Sequence, residues 1–100
     1  MSRLEGPREF TAQMSVREGR WRLYVVLLGS AERWPEFSFG RRRVVPSVQE
    51  RSRALDRLGY VLADGARWEW SEDSEIPDDP GSPVLLIGSV RVCSRTEAAL

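Results

Sequence analysis

Apolar and polar side chains alternate strictly near the start of the chain, with Phe10, Ala12, Met14 and Val16 set against Thr11, Gln13 and Ser15. A period of two places the apolar side chains on one face, so this segment is predicted to be a half-buried β-strand. Gly19 then suits a turn, and a second, mostly apolar segment runs from Trp21 to Leu28. We therefore predict an antiparallel hairpin of strands at residues 10–16 and 21–28.

The remaining pattern predicts a small sheet that carries one helix. Short strands are predicted at residues 37–39, 60–62 and 66–71, and a last strand at 84–93. Residues 71–83 hold five acidic residues and three prolines, which predicts a solvated loop. The predicted fold class is α+β, an antiparallel β-sheet with one helix in the order β-β-β-α-β-β, with one further short strand as an option.

The helix has recognisable start and stop signals. Ser47 and Glu50 have the spacing of a capping box, in which each side chain bonds the backbone N–H of the other residue. The helix is expected to run to about Leu58 and to end at Gly59, which suits a left-handed cap. Its apolar stripe is predicted to consist of Val48, Leu55 and Leu58. We expect one domain at residues 10–94, between flexible segments at 1–9 and 95–100.

Two strands are apolar on both faces, at Val25–Leu28 and at Val84–Ile87. A helix of about twelve residues is some 18 Å long and covers one side of a small sheet, so the other side is expected to expose apolar residues. Such a surface is typical of an interface. The candidate interface residues are Tyr24, Val26, Leu28, Leu85 and Ile87, with Val25, Leu27, Leu86 and Val90 as the other set. Alternatively, loops 29–36 and 71–83 cover that side, with Trp34 and Ile76 as plugs.

Composition narrows the chemistry. All fifteen basic residues are arginine, and the chain contains neither lysine nor histidine, which removes imidazole bases, lysine Schiff bases and nitrogen metal ligands. Cys93, the single cysteine, lies late in an apolar strand and is expected to be a small buried hydrophobe. We therefore predict no catalytic residue, no cofactor and no enzyme; a small enzyme of unknown chemistry is the third choice. The single cysteine, and the lack of an apolar stretch in the first seven residues, favour a cytoplasmic protein without a signal peptide.

The acidic segment from Glu72 to Pro80 invites a calcium interpretation. An EF-hand loop needs acidic residues at alternate positions, a central glycine and a terminal bidentate glutamate, and this register is missing. Pro77 and Pro80 also stiffen the backbone where it would have to wrap around an ion. We therefore predict no metal site.

Charge is balanced overall but uneven along the chain. Residues 1–58 contain twelve arginines and seven acidic residues, and residues 59–100 contain three arginines and eight acidic residues. We expect the two halves to fold together so that their fields largely cancel. The alternative function is a nucleic-acid-associated accessory protein with an Arg-rich helix side, because three tryptophans adjoin arginines as in single-strand stacking platforms. Its candidate contacts are Arg41, Arg42, Arg43, Arg53 and Arg57. Arg51, on the same predicted helix, is grouped with them as a cation that faces phosphates. The zero net charge makes nucleic acid an improbable partner.

Several segments together resemble a family of small uncharacterised actinobacterial (Streptomyces-type) proteins of unknown function. They are Trp21–Gly29, Glu32–Glu36, Arg51–Leu55, Leu58-Gly59, Trp68–Trp70 and Asp78–Pro80. The resemblance covers most of residues 10–93 and implies an actinobacterial origin, but it implies no activity. From the residues, the predicted function is a small protein-binding module that self-associates, as a homodimer, through an apolar sheet face or an edge strand. The other partner considered is a different protein, and no membrane partner is expected.

Overall fold

The structure is a computed structural model that describes residues 7–98. Its elements are β1 (Glu9–Arg17), β2 (Arg20–Val26), β3 (Glu36–Arg41), α1 (Val48–Leu58), β4 (Tyr60–Leu62), β5 (Glu69–Ser74), β6 (Val84–Ser94) and α2 (Arg95–Ala98). The six strands form one sheet in the order β3-β2-β1-β6-β4, and every pairing is antiparallel. β4 and β5 pair with the same edge of β6 at different positions. β4 lies beside residues 92–94 and β5 beside residues 84–89. The predicted α+β fold, with one main helix, is confirmed.

The β1–β2 hairpin closes with a two-residue turn. Glu18 and Gly19 both have positive φ, 53° and 77°, as in the turns that match the twist of a hairpin. Their neighbours Arg17 and Arg20 are directly paired. The predicted hairpin is therefore confirmed, with β2 ending at Val26 rather than at Leu28.

β5 lies further along the chain than the sequence predicts. Residues 66–68 precede the strand, and residues 71–74, predicted to be a solvated loop, continue it alongside Val84–Ile87 of β6. The prediction was wrong because it took acidic residues as a loop signal. On an outer strand the polar side chains stay in water while the backbone still pairs on its inner side.

The helix ends are as predicted. The Ser47 hydroxyl accepts the Glu50 N–H at 3.1 Å, and Glu50 Oε1 accepts the Ser47 N–H at 2.8 Å. Gly59 has φ 92° and donates its N–H to the carbonyl of Asp56 at 3.0 Å. The predicted stripe was wrong at Val48, which is 59% exposed; the fully buried helix positions are Arg51, Ala54 and Leu55.

One face of the sheet, covered by α1, holds the core. The buried residues there are Ala12, Met14, Trp21, Leu23, Val25, Val90 and Val92 from the strands, with Ala54 and Leu55 from the helix. In the described part of the chain, no helix has the length and apolarity needed to cross a membrane.

Of the two segments predicted to be flexible, residues 1–6 and 99–100 lie outside the described residues. The described part of the C-terminal segment is folded back onto the domain as α2. The Arg95 N–H bonds the carbonyl of Gly59 at 2.9 Å, and its guanidinium pairs with Asp56 at 2.6 Å. The folded region therefore continues past residue 94.

Candidate interaction surfaces

The side of the sheet opposite α1, here called the open face, is mainly polar. Tyr24 and Val26 lie on β2 and Leu85 and Ile87 on β6, but β1 runs between these strands. On the open face β1 presents the polar side chains of Thr11, Gln13 and Ser15. Their partners are, in that order, Val26, Tyr24 and Arg22 on β2. On β6 they are Arg91, Ser89 and Ile87. The five predicted interface residues therefore form no continuous patch, and Leu28, 81% exposed, lies beyond the end of β2.

A loop residue covers part of the open face. The Trp34 ring stacks on Tyr24 with centroids 6.0 Å apart, and the Tyr24 hydroxyl donates to Gln13 Oε1 at 2.9 Å. This is the plug role that the sequence suggested for Trp34. Ile76, the other suggested plug, is 56% exposed.

β3 forms one outer edge of the sheet, and its surroundings are basic. Arg41 at its end is directly opposite Arg20, which is directly opposite Arg17, so three arginines form a row across β3, β2 and β1. Like charges in directly opposed positions destabilise a sheet. Among the described residues none of the three is in an ion pair. We call β3 with Arg41 and the exposed Arg43 the basic edge.

β5 forms the outer edge on the other side, and it is acidic. Glu69, Glu72 and Asp73 are all exposed on this strand, and none is in an ion pair within the part of the chain that the structure describes. We call β5 with these three carboxylates the acidic edge.

The two edges do not neutralise each other. Four inter-strand steps separate β3 from β5, which is about 19 Å at the usual strand spacing. Salt screens exposed charges over about 8 Å at physiological ionic strength. Each edge therefore lies outside the screening range of the other. Elsewhere the two halves do meet, since Arg91 pairs with Glu9 at 2.9 Å and Arg95 with Asp56 at 2.6 Å, and the cancellation of their fields stays a prediction.

An arginine lies inside the domain, behind the acidic edge. Arg51 is only 7% exposed and its guanidinium carbon lies 4.9 Å from the ring centroid of Trp68 and 5.4 Å from that of Trp70. Trp70 also meets Trp21 edge-to-face at 6.5 Å. Arg51 Nε donates to the Ser47 carbonyl at 3.3 Å, whereas its buried Nη1 has no partner within the described chain. Burial lowers the pKa of the Arg51 guanidinium. Aromatic faces thus take the place of water around this cation.

The predicted nucleic-acid contacts are divided between two depressions: Arg41, Arg42 and Arg43 line a cleft beside Trp21, and Arg53 and Arg57 line another. Arg42 is held by Glu50 through two hydrogen bonds, at 2.8 and 3.1 Å. Arg53 and Arg57 line an open groove of about 740 Å³ between α1 and β3, whose apolar lining includes Phe37 and Phe39. The remaining two, Arg41 and Arg43, belong to the basic edge. Sequence reasoning also placed Arg51 with this group, although it points into the domain.

Two predictions from the sequence concern Cys93 and a metal site. Cys93 is buried, as predicted. Within residues 7–98, no three side chains of the metal-binding types come together as an ion would require.

The sequence analysis did not identify the acidic edge or the two phenylalanines of β3 as parts of a candidate surface. Both follow from strand order, which a single sequence does not give.

Comparison with known proteins places the chain in a family. A family model described as a family of unknown function matches residues 8–100. The chain belongs to DUF6303. No curated protein and no solved structure matches the chain. Membership in DUF6303 therefore brings no activity with it, and the surfaces described above have to support any proposal.

Proposed function

We propose that the protein is a non-enzymatic, cytoplasmic protein-binding module that associates with copies of itself through the outer edges of its sheet. The observation that carries the proposal is that β3 and β5, each six residues long, pair on one side only among the described residues. An edge of this kind presents backbone N–H and C=O groups that a strand of another chain can use.

The open face supports association less well than the edges. Its apolar residues are divided by polar β1 side chains, and Tyr24 is already stacked on Trp34. An edge-to-edge contact uses backbone hydrogen bonds and therefore does not need a large apolar area.

Light scattering after size exclusion tests the proposal. At tens of micromolar the mass should exceed the 11.4 kDa of one chain and should rise with concentration. Val26→Arg and Ile87→Arg, placed on the open face, should leave that mass unchanged. A monomeric protein at every concentration would contradict the proposal. If both open-face variants were monomeric, the open face would be the interface instead of the edges.

A further inference from the structure

We infer that the self-association is head-to-tail, with the basic edge of one copy against the acidic edge of the next. This inference rests on the proposed function and specifies its geometry. The two edges differ in charge, are equal in strand length and belong to one sheet. A contact between unlike edges leaves one edge of each kind free at the ends, so the assembly grows beyond two copies or closes into a ring.

Strand direction fits this arrangement. All neighbouring strands are antiparallel, and four steps separate β3 from β5, so the two run in the same direction. A second copy with its helix on the same side therefore adds its β3 to β5 as a parallel pair. The strand registers place Arg41 and Asp73 at the same end of the sheet, so the pair brings them together.

The charges select this contact over pairing of two acidic edges. Two copies of β5 side by side would bring the three carboxylates of one copy, those of Glu69, Glu72 and Asp73, close to the three of the other, with no basic residue on either strand. Like charges across strands are destabilising, whereas opposite charges stabilise the pair. The contact would also offer carboxylates to the row of Arg17, Arg20 and Arg41, none of which is in an ion pair within the described residues.

Side chains on the helix side fit the same contact. β3 presents Phe37 and Phe39, whose rings meet edge-to-face at 5.0 Å, and β5 presents Trp70, which is 39% exposed. Addition of β3 to β5 would extend one aromatic row across the junction. Aromatic cross-strand pairs add stability to a sheet.

The alternative is a two-fold pair of basic edges. An antiparallel β3–β3 contact would bring Glu36 of each copy near Arg41 of the other, so charge alone does not forbid it. It leaves the acidic edge unused and stops at two copies. The experiment must therefore separate pairing that needs β5 from pairing that does not.

Two charge-reversed variants make this separation. Arg41→Glu with Arg43→Glu gives a chain with two acidic edges, and Glu72→Arg with Asp73→Arg gives a chain with two basic edges. Head-to-tail association predicts that each variant alone is monomeric under conditions where the unmodified chain associates, and that an equimolar mixture associates again. Glu32→Arg with Asp64→Arg is the matched control for the β5 variant, because it raises the net charge by the same amount at exposed positions off both edges. It should associate like the unmodified chain.

Each outcome decides between the geometries. If the β5 variant associates normally while the β3 variant does not, the two-fold pair replaces the head-to-tail contact and self-association stands. Folded variants whose mixture stays monomeric, or a control that also dissociates, overturn the inference. An unmodified chain that never associates overturns the proposed function as well.

Hydrogen exchange of the unmodified chain tests the same contact without variants. Raising the protein concentration should protect the amides of both β3 and β5 from exchange, whereas protection of β3 alone would contradict the inference.

Discussion

Trp70 and Gly88 are directly paired across β5 and β6, and the indole ring lies against the glycine. A Cβ at position 88 would be 2.8 Å from Cζ3 of Trp70, closer than real side-chain contacts allow. Gly88 is buried by this ring. The pair anchors the acidic edge to the sheet, since β5 has no other strand neighbour among the described residues.

Gly88→Ala should therefore destabilise the domain by about 1–3 kcal/mol, because the added methyl group pushes the Trp70 ring out of its place. Urea unfolding measures the change. Gly81→Ala is the control: a Cβ there is 3.4 Å from a flexible Asp79 oxygen, so its effect should stay within about 0.5 kcal/mol. Equal stability of Gly88→Ala and the unmodified chain would show that the ring has room to move.

Arg51 should be replaceable by an apolar side chain of similar length. Arg51→Ala removes the stem that packs in the core and should cost about 2 kcal/mol or more. Arg51→Met keeps most of that volume and removes a buried cation, so its stability should equal or exceed that of the unmodified chain. The exposed Arg53→Ala is the control. If Arg51→Met lowered the stability as much as Arg51→Ala, the positive charge over Trp68 and Trp70 would itself be required for stability.

Glu50 should make stability depend on pH in the acidic range. The hydrogen bonds from the Arg42 guanidinium, together with the Ser47 N–H, lower the pKa of Glu50 from 4.5 to about 2. Because the folded pKa is depressed, the stabilisation is fully present above pH 4.5 and is lost as the pH falls towards 2. Unfolding free energies of the unmodified chain and of Glu50→Gln, measured from pH 6 to pH 2, should converge at low pH. Parallel curves would contradict this assignment.

Duplex DNA should not bind at physiological salt. The net charge is zero, and of the five arginines proposed as contacts Arg42 is already paired with Glu50. If binding rested on phosphate contacts, added salt would lower the affinity. The decrease would be about 0.9 log units per log unit of salt for each phosphate neutralised. A mobility-shift titration checks this. Binding at low micromolar protein that disappears in Arg41→Ala with Arg43→Ala would favour the nucleic-acid function instead.

Elements fixed by local chemistry were predictable from the sequence. The β1–β2 hairpin followed from alternation and a glycine turn, and the helix ends followed from Ser47, Glu50 and Gly59. β5 was misplaced because its acidic residues resemble a loop until an exposed edge is known to carry them. Arg51 was assigned to the surface because no local pattern shows that two tryptophans from a later segment surround it.

The candidate surfaces depended on strand order, which the sequence left open. The doubly apolar segments of β2 and β6 belong to inner strands, but nothing in the sequence placed β1 between them. That one neighbour relationship divides the apolar residues of the open face. The complete strand order leaves β3 outermost on one side and β4 and β5 outermost on the other, and hence determines where the basic and acidic edges lie.

β6 joins the two parts of the sheet, since it pairs with β1 on one side and with β4 and β5 on the other. During synthesis, the edge of β1 that pairs with β6 therefore stays unpaired from the time residue 17 is made until residue 94 is made. At about 5–20 residues per second the wait is roughly 4–15 s. Throughout that interval the nascent hairpin has an unpaired strand and no completed core. Chaperone access to β1 during translation would then influence how much folded protein a cell obtains.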